Sequence, residues 1–209
     1  RPALSEDRPH AVLLQSLILM GAPDAEIEAV YAQACTAFPE KAEFPLIYGT
    51  WAWEAGYFAR AREAYSEGVR LHEMYYRAGD FSGILAPAAY TRLGEAAELT
   101  GDAEGAAALY EHAVRQNPHH VPALVCLIRL LRAAGADDAA LIEALNALYG
   151  EEDAAFLASV LAGQGCPLAA LYYDQRSTLK FPLRRRFLLA GDVCSAAASL
   201  IEDLERSAA

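Results

Sequence analysis

The chain has 209 residues, and 55% of them are hydrophobic, which is enough apolar material for a sizeable core. Its formal net charge is −11, from 28 acidic and 17 basic residues. Because a negative chain repels phosphate backbones, we expect no binding to nucleic acid. No run reaches the roughly 18 consecutive apolar residues of a membrane-spanning helix, and the most apolar stretch, residues 11–20, is interrupted by Gln15 and Ser16.

The cysteines and histidines predict neither a disulfide framework nor a metal site. The only adjacent histidines, His119 and His120, would point in different directions on a helix, so we expect no metal and no cofactor. The chain also begins with Arg1 where a whole protein would begin with Met, and we expect it to be part of a longer protein. Widely spaced cysteines beside apolar segments are typical of reduced thiols, which predicts a cytoplasmic location: Cys35, Cys126, Cys166 and Cys194.

The first helix pair is predicted after a short linker, residues 1–7. Ala11, Leu14 and Ile18 recur at helical spacing and form one helix face. A GAPD turn at residues 21–24 then leads into a second helix, and Pro23 lies near its start, where a missing N–H does no harm.

The second pair covers residues 44–71 and is followed by extra sequence. Gly56 and Gly101 are 45 positions apart, whereas Gly101 and Gly135 are 34 apart. The excess of 11 lies around residues 72–87. We predict an insertion there between helix pairs, with a Gly-Asp turn.

Residues 90–118 show the clearest pattern in the chain. Gly101 and Asp102 end one apolar-periodic helix, and Asp102 can cap the next. Pro118 lacks an N–H and ends the second helix. Small or apolar residues recur along both helices: Tyr90, Leu93, Gly94, Ala97, Gly101, Ala106, Tyr110, Ala113 and Pro118.

These residues resemble the signature of the tetratricopeptide repeat, a helix–turn–helix unit of 34 residues. The resemblance implies an all-α fold, a tetratricopeptide-like superhelix (α-solenoid) of about six antiparallel helix pairs. It predicts one repeat domain over residues 8–209, in which the pairs within 151–209 are shortened, as terminal repeats often are. In the next pair, whose turn contains Gly135, Ile128 replaces the usual glycine. We therefore expect the two helices of that pair to be more widely spaced.

The resemblance also implies a binding surface. In this family one helix of each pair lines a concave groove that binds a protein or peptide partner. Glu95 with Glu98, and Arg129 with Arg132, would share helix faces, while Trp53 is the type of residue that anchors interfaces. The exposed positions predicted for the groove are Thr50, Trp53, Glu54, Thr91, Glu95, Glu98, Arg129 and Arg132.

One specialised use of that groove is excluded. Some chaperone-binding members hold a peptide's terminal carboxylate with Lys and Asn at defined groove positions. The matching positions here carry other residues, so we do not expect a chaperone-tail receptor: Leu46, Thr50, Thr91, Glu95, Val125 and Arg129.

A narrower resemblance covers residues 38–150, in which one repeat leads through an aromatic, glycine-containing insertion into the next. This order is similar to the repeat region attached to some bacterial family 2 glycosyltransferases. Those enzymes hold a metal–diphosphate with an Asp-x-Asp motif, which this sequence lacks. The resemblance therefore implies a non-catalytic scaffold. Two alternatives stay open: acceptor or glycan binding through Tyr75, Tyr76 and Asp80, and self-association of the array by end-to-end stacking.

No stretch predicts an enzyme in this chain itself. Nucleophile-elbow, P-loop and dinucleotide-binding fingerprints are absent. The glycine-containing segment 163–167 is predicted to be a turn between helices, with Cys166 in a structural role. The basic run KFPLRRR at 180–186 is interpreted as a solvated helix face, with docking to an acidic partner, a phosphate-bearing ligand or a membrane surface as the alternative.

Overall fold

A computed structural model describes residues 7–177 of the chain. These residues form ten α-helices and one 3-10 turn, and no strand occurs among them, which confirms the all-α class. Most of the predicted linker, the basic run 180–186, Cys194 and the part of the shortened pairs beyond residue 177 lie outside the described residues. The helices are α1 (Arg8–Leu19), α2 (Asp24–Ala37), α3 (Glu43–Glu54), α4 (Phe58–Tyr75), α5 (Ser82–Leu99), α6 (Ala103–Gln116), α7 (Val121–Ala133), α8 (Asp138–Asn146), α9 (Ala154–Gly163) and α10 (Pro167–Arg176).

The helices group into two compact units, Arg1–Gln116 and Asn117–Ala209. In the first unit, α1 packs on α2, α3 on α4, and α5 on α6. Successive pairs also touch, because α3 contacts α1 and α5. The second unit holds α7 to α10, described up to residue 177. The single domain predicted for residues 8–209 stays a prediction.

Two close helix contacts organise the first unit. A Cβ atom on Gly94 of α5 would lie 2.5 Å from Cε1 of Tyr110 on α6, and one on Gly49 of α3 would lie 2.8 Å from Cδ1 of Tyr65 on α4. Each glycine therefore leaves the space that a tyrosine ring of the partner helix fills. The turn after Gly101 forms as predicted, since Asp102 accepts a hydrogen bond from the backbone N–H of Gly105 at 2.8 Å.

The predicted insertion takes a different form from an added loop. The extra residues lengthen two helices, since α4 and α5 have 18 residues each, against 14 in α2 and α6 and 12 in α3. Only residues 76–81 connect α4 to α5. His72 and Tyr75 therefore lie on the last turn of α4, and Ser82 begins α5. A Gly-Asp turn at Gly79 and Asp80 remains within the connection.

In the second unit, α9 packs closely on α10, and α10 contacts α8. Helices α7 and α8 lie less closely together than α5 and α6 do, as the side chain of Ile128 predicts. Leu124, Ile128, Leu141 and Leu157 are fully buried in the core of this unit.

The three described cysteines carry free thiols, and Cys166 is buried, which favours its structural role. Across residues 7–177, none of the helices has both the length and the apolar character needed to cross a bilayer.

Candidate binding site

The facing sides of α1, α3 and α5 enclose an apolar cavity of about 310 Å³. On α3 it is lined by Ile47, Thr50, Trp51 and Glu54, whose spacing places them on one helix face. The residues from the other two helices are mostly aliphatic: Gln15, Ile18 and Leu19 of α1 and Leu85 of α5.

A second cavity of about 660 Å³ continues along the same helices. It shares Gln15 with the first and reaches the start of α3 at Glu43 and Phe44. Val12 of α1 and Ile84 of α5 line it with exposed side chains. We call the two cavities together the inner groove.

The predicted groove residues on α3 divide between two surroundings. Thr50 and Glu54 line the inner groove. Trp53, however, is not among its lining residues. It packs edge-on against Phe58, with ring centroids 5.1 Å apart, and the guanidinium carbon of Arg92 lies 5.1 Å from its ring centroid. The side chain of Trp53 is therefore held between α4 and α5.

The predicted exposure of Thr91 is wrong. This residue is only 3% exposed, and its hydroxyl donates a 2.8 Å hydrogen bond to the backbone carbonyl of Pro87 on the preceding turn. Repeat counting assigned Thr91 to an open face, but α5 packs against α3, α4 and α6, and most of its residues are buried or half-buried.

The two predicted glutamates of α5 are engaged within the first unit. Arg92 donates to Glu95 at 2.7 Å, and the hydroxyl of Tyr110 donates to Glu98 at 2.6 Å. Both glutamates are half-buried. They therefore stabilise helix contacts as well as contributing negative charge to the surface.

The two predicted arginines lie on α7 in the second unit. Arg129 is exposed, whereas Arg132 is half-buried. Arg132 donates to the carboxylate of Asp138 and to the backbone carbonyl of Ala136 at 3.0 Å. Asp138 in turn accepts a hydrogen bond from the backbone N–H of Ala169 at 2.8 Å. Arg132 is thus part of a buried network that connects α7, α8 and α10.

Sequence reasoning missed the apolar lining of the inner groove. Leu19 is 87% exposed although it lies in the most apolar run of the sequence, residues 11–20. The sequence did contain a signal for this lining, since the run has more apolar residues than one buried helix face requires. In the structure only Leu14 and Leu17 of α1 are buried.

A third cavity, of about 290 Å³, lies beneath the lengthened ends of α4 and α5. We call it the insertion cavity. All three residues predicted as alternative contacts, Tyr75, Tyr76 and Asp80, line it together. The other lining residues come from the α2–α3 connection, the start of α3 and the neighbouring turns: Glu40, Lys41, Ala42, Glu43, Leu71, His72, Arg77 and Ser82.

The back of the insertion cavity is held by a buried polar pair. Nδ1 of His72 lies 3.0 Å from Oγ of Ser82, and the rings of His72 and Tyr76 are 4.5 Å apart. A Cβ on Gly83 would lie 2.9 Å from the Tyr76 ring, so glycine makes room for that ring. Burial lowers the pKa of His72, and the imidazole is therefore neutral at pH 7.

Carboxylates surround the front of the insertion cavity. The ammonium of Lys41 lies 2.9 Å from Oδ2 of Asp7. The hydrogen bond to Asp7 raises the pKa of Lys41, and the charges of Glu43 and Asp80 raise it further. No group of three or more His, Cys, Asp or Glu side chains within residues 7–177 could hold a metal ion.

The fold and these cavities define an all-α protein whose paired helices leave open ligand-sized spaces. No protein-family model matches the chain, and comparison with curated proteins finds no significant match.

Proposed function

We propose that this chain is a non-catalytic interaction module of the tetratricopeptide-repeat type, which binds a segment of a partner protein along the inner groove. The regular 34-position interval between Gly101 and Gly135 supports this proposal. So do the two glycine–tyrosine contacts, because they repeat the same crossing geometry in successive pairs. An α-solenoid of such pairs would present a preformed surface, which limits the ordering cost of binding.

The observation that carries the proposal is the apolar lining of the groove. Leu19, Ile47 and Trp51 line a cavity of about 310 Å³ that opens to solvent. Exposed apolar surface next to a concavity, bordered by polar groups such as Thr50 and Glu54, is typical of a protein-binding site. A partner segment with two or more large apolar side chains would fill this space.

We further propose that the module is attached to a bacterial glycosyltransferase and acts in the cytoplasm. The order of repeat, aromatic insertion and repeat over residues 38–150 supports attachment to a glycosyltransferase. The free thiols of Cys35, Cys126 and Cys166 support a reducing compartment.

The experiment is a selection of binders from a library of short random peptides displayed on phage, followed by affinity measurement with two variants. Leu19→Asp places a charge in the groove and should weaken the selected peptides by about tenfold or more. Leu99→Asp is the matched control, because Leu99 is also highly exposed (85%, against 87% for Leu19) but does not line the inner groove. It should leave affinity within about twofold.

Tryptophan fluorescence adds a direct readout, since Trp51 lines the groove and the other tryptophan, Trp53, does not. Binding should change the emission of the wild type and of Trp53→Phe alike. Equal loss of affinity in the Leu19 and Leu99 variants, or selected peptides that lack apolar residues, would contradict the groove proposal.

A further inference from the structure

Glu43 is a buried glutamate whose carboxylate accepts no hydrogen bond. The residue is only 8% exposed, and within residues 7–177 it forms no hydrogen bond or ion pair, although its charge acts on the nearby ammonium of Lys41. It is the first residue of α3, where the helix dipole favours negative charge. That interaction favours negative charge at this position, and the carboxylate oxygens are not fully enclosed by protein atoms.

The carboxylate of Glu43 faces open space. Glu43 lines both the insertion cavity and the larger cavity of the inner groove. A carboxylate that lines a cavity of about 290 Å³ can accept a charge-assisted hydrogen bond from a positively charged ligand.

Aromatic rings line the same space. Tyr75 and Tyr76 are each 48% exposed and contribute to the lining of the insertion cavity. Tyr76 is fixed by its contacts with His72 and Gly83. Tyrosine faces attract ammonium groups through their quadrupole, and aromatic residues beside a carboxylate are the recurrent setting for such ligands.

The cationic side chains that line the cavity do not form an ion pair with Glu43, so its carboxylate is available to a positively charged ligand. Lys41 is bonded to Asp7, and Arg77 is exposed at the mouth of the cavity. His72 adds no positive charge at pH 7, because burial lowers its pKa. Asp80 and Glu40 add further negative charge to the lining.

We propose that the insertion cavity binds an organic ammonium group, with Glu43 as its counter-ion and Tyr75 and Tyr76 as its aromatic walls. The ammonium belongs either to a small amine or to a lysine side chain of a partner protein. This inference goes beyond the proposed function, because it assigns a separate site with its own ligand chemistry.

Calorimetric titration of the full chain with choline tests the proposal, and 3,3-dimethyl-1-butanol, its uncharged isostere, is the comparison probe. The wild type should bind choline at least about tenfold more tightly than the neutral isostere. Glu43→Gln keeps the shape and removes the charge, and it should weaken choline by about tenfold or more. Glu104→Gln, at an exposed carboxylate of α6 that lines none of the three cavities, should change affinity by less than about twofold.

A second variant keeps the test independent of Glu43. Tyr76→Leu should weaken choline by about fivefold through loss of the aromatic wall. Thermal unfolding followed by circular dichroism verifies that each variant is folded. Acetylated Ala-Lys-Ala amide and its norleucine counterpart form the second arm, and tighter binding of the lysine peptide than of choline would identify a protein side chain as the source.

Three results would overturn the proposal. The first is equal affinity for choline and its neutral isostere, and the second is binding of methyl glycosides without binding of any ammonium probe. The third is a folded Glu43→Gln variant that binds choline as the wild type does.

Discussion

At the scale of single residues, the close packing of two helix pairs depends on glycines that face tyrosine rings. Gly94 and Gly49 have no Cβ, and in each case a tyrosine ring of the partner helix occupies that space. Tyr110 and Tyr65 are both buried, so the rings have little freedom to withdraw. Gly94 and Tyr110 both belong to the pattern described for residues 90–118, and the structure gives the contact that joins them.

Replacement of Gly94 by alanine should therefore destabilise the chain by about 1–3 kcal/mol, because the added methyl group would lie 2.5 Å from the Tyr110 ring. Gly163→Ala is the control, since Gly163 lies in α9 with no atom within 4 Å of its added Cβ. It should stabilise the chain by up to about 1 kcal/mol. Urea unfolding of the two variants measures the difference in their free energies of unfolding. Similar free energies for both would contradict the dependence of α5–α6 packing on Gly94.

At the scale of helices, one carboxylate connects three elements of the second unit. Asp138 at the start of α8 binds Arg132 of α7 and the backbone N–H of Ala169 in α10. Its neighbour Asp137 has a local role, because it caps α8 through the N–H of Ala140 at 2.9 Å. The two adjacent aspartates therefore differ in role: Asp138 connects helices, whereas Asp137 caps one.

Asp138→Ala should cost about 2–3 kcal/mol, since it leaves the buried N–H of Ala169 without an acceptor. Asp137→Ala should cost only about 1 kcal/mol, the usual value for a helix cap. Guanidinium unfolding monitored by circular dichroism compares the two. An equal cost for both substitutions would mean that the Asp138 network adds nothing beyond capping.

The sequence predicted the helices better than the surroundings of individual side chains. Apolar period and turn residues located α5 and α6, and the cap at Asp102 formed as expected. Repeat counting failed for Thr91, because exposure depends on neighbouring turns that a signature does not describe. It also placed Trp53 in the groove, whereas Trp51 lines it, since a shift of two positions changes the helix face.

At the scale of the whole molecule, stability is distributed over helix pairs. In the first unit α3 contacts helices on both sides, and nine of its 12 residues are buried. In α1 only Leu14 and Leu17 are buried. In the proposed α-solenoid each pair would be stabilised mainly by its immediate neighbours.

Amide hydrogen exchange should therefore be slowest in α3 within the first unit and at least about tenfold faster in α1. Mass spectrometry of peptic fragments resolves the two helices. Uniform protection across α1 and α3 would show that the unit opens only as a whole, contrary to the neighbour-dependent stability expected here.

The lengthened ends of α4 and α5 have a consequence for protein engineering. The 11 additional residues lie between Gly56 and Gly101, and the next interval, from Gly101 to Gly135, is 34 positions. Residues 72–87 can therefore change in length and chemistry while the flanking scaffold keeps its register. This segment is therefore a suitable position at which to introduce new binding residues by protein engineering.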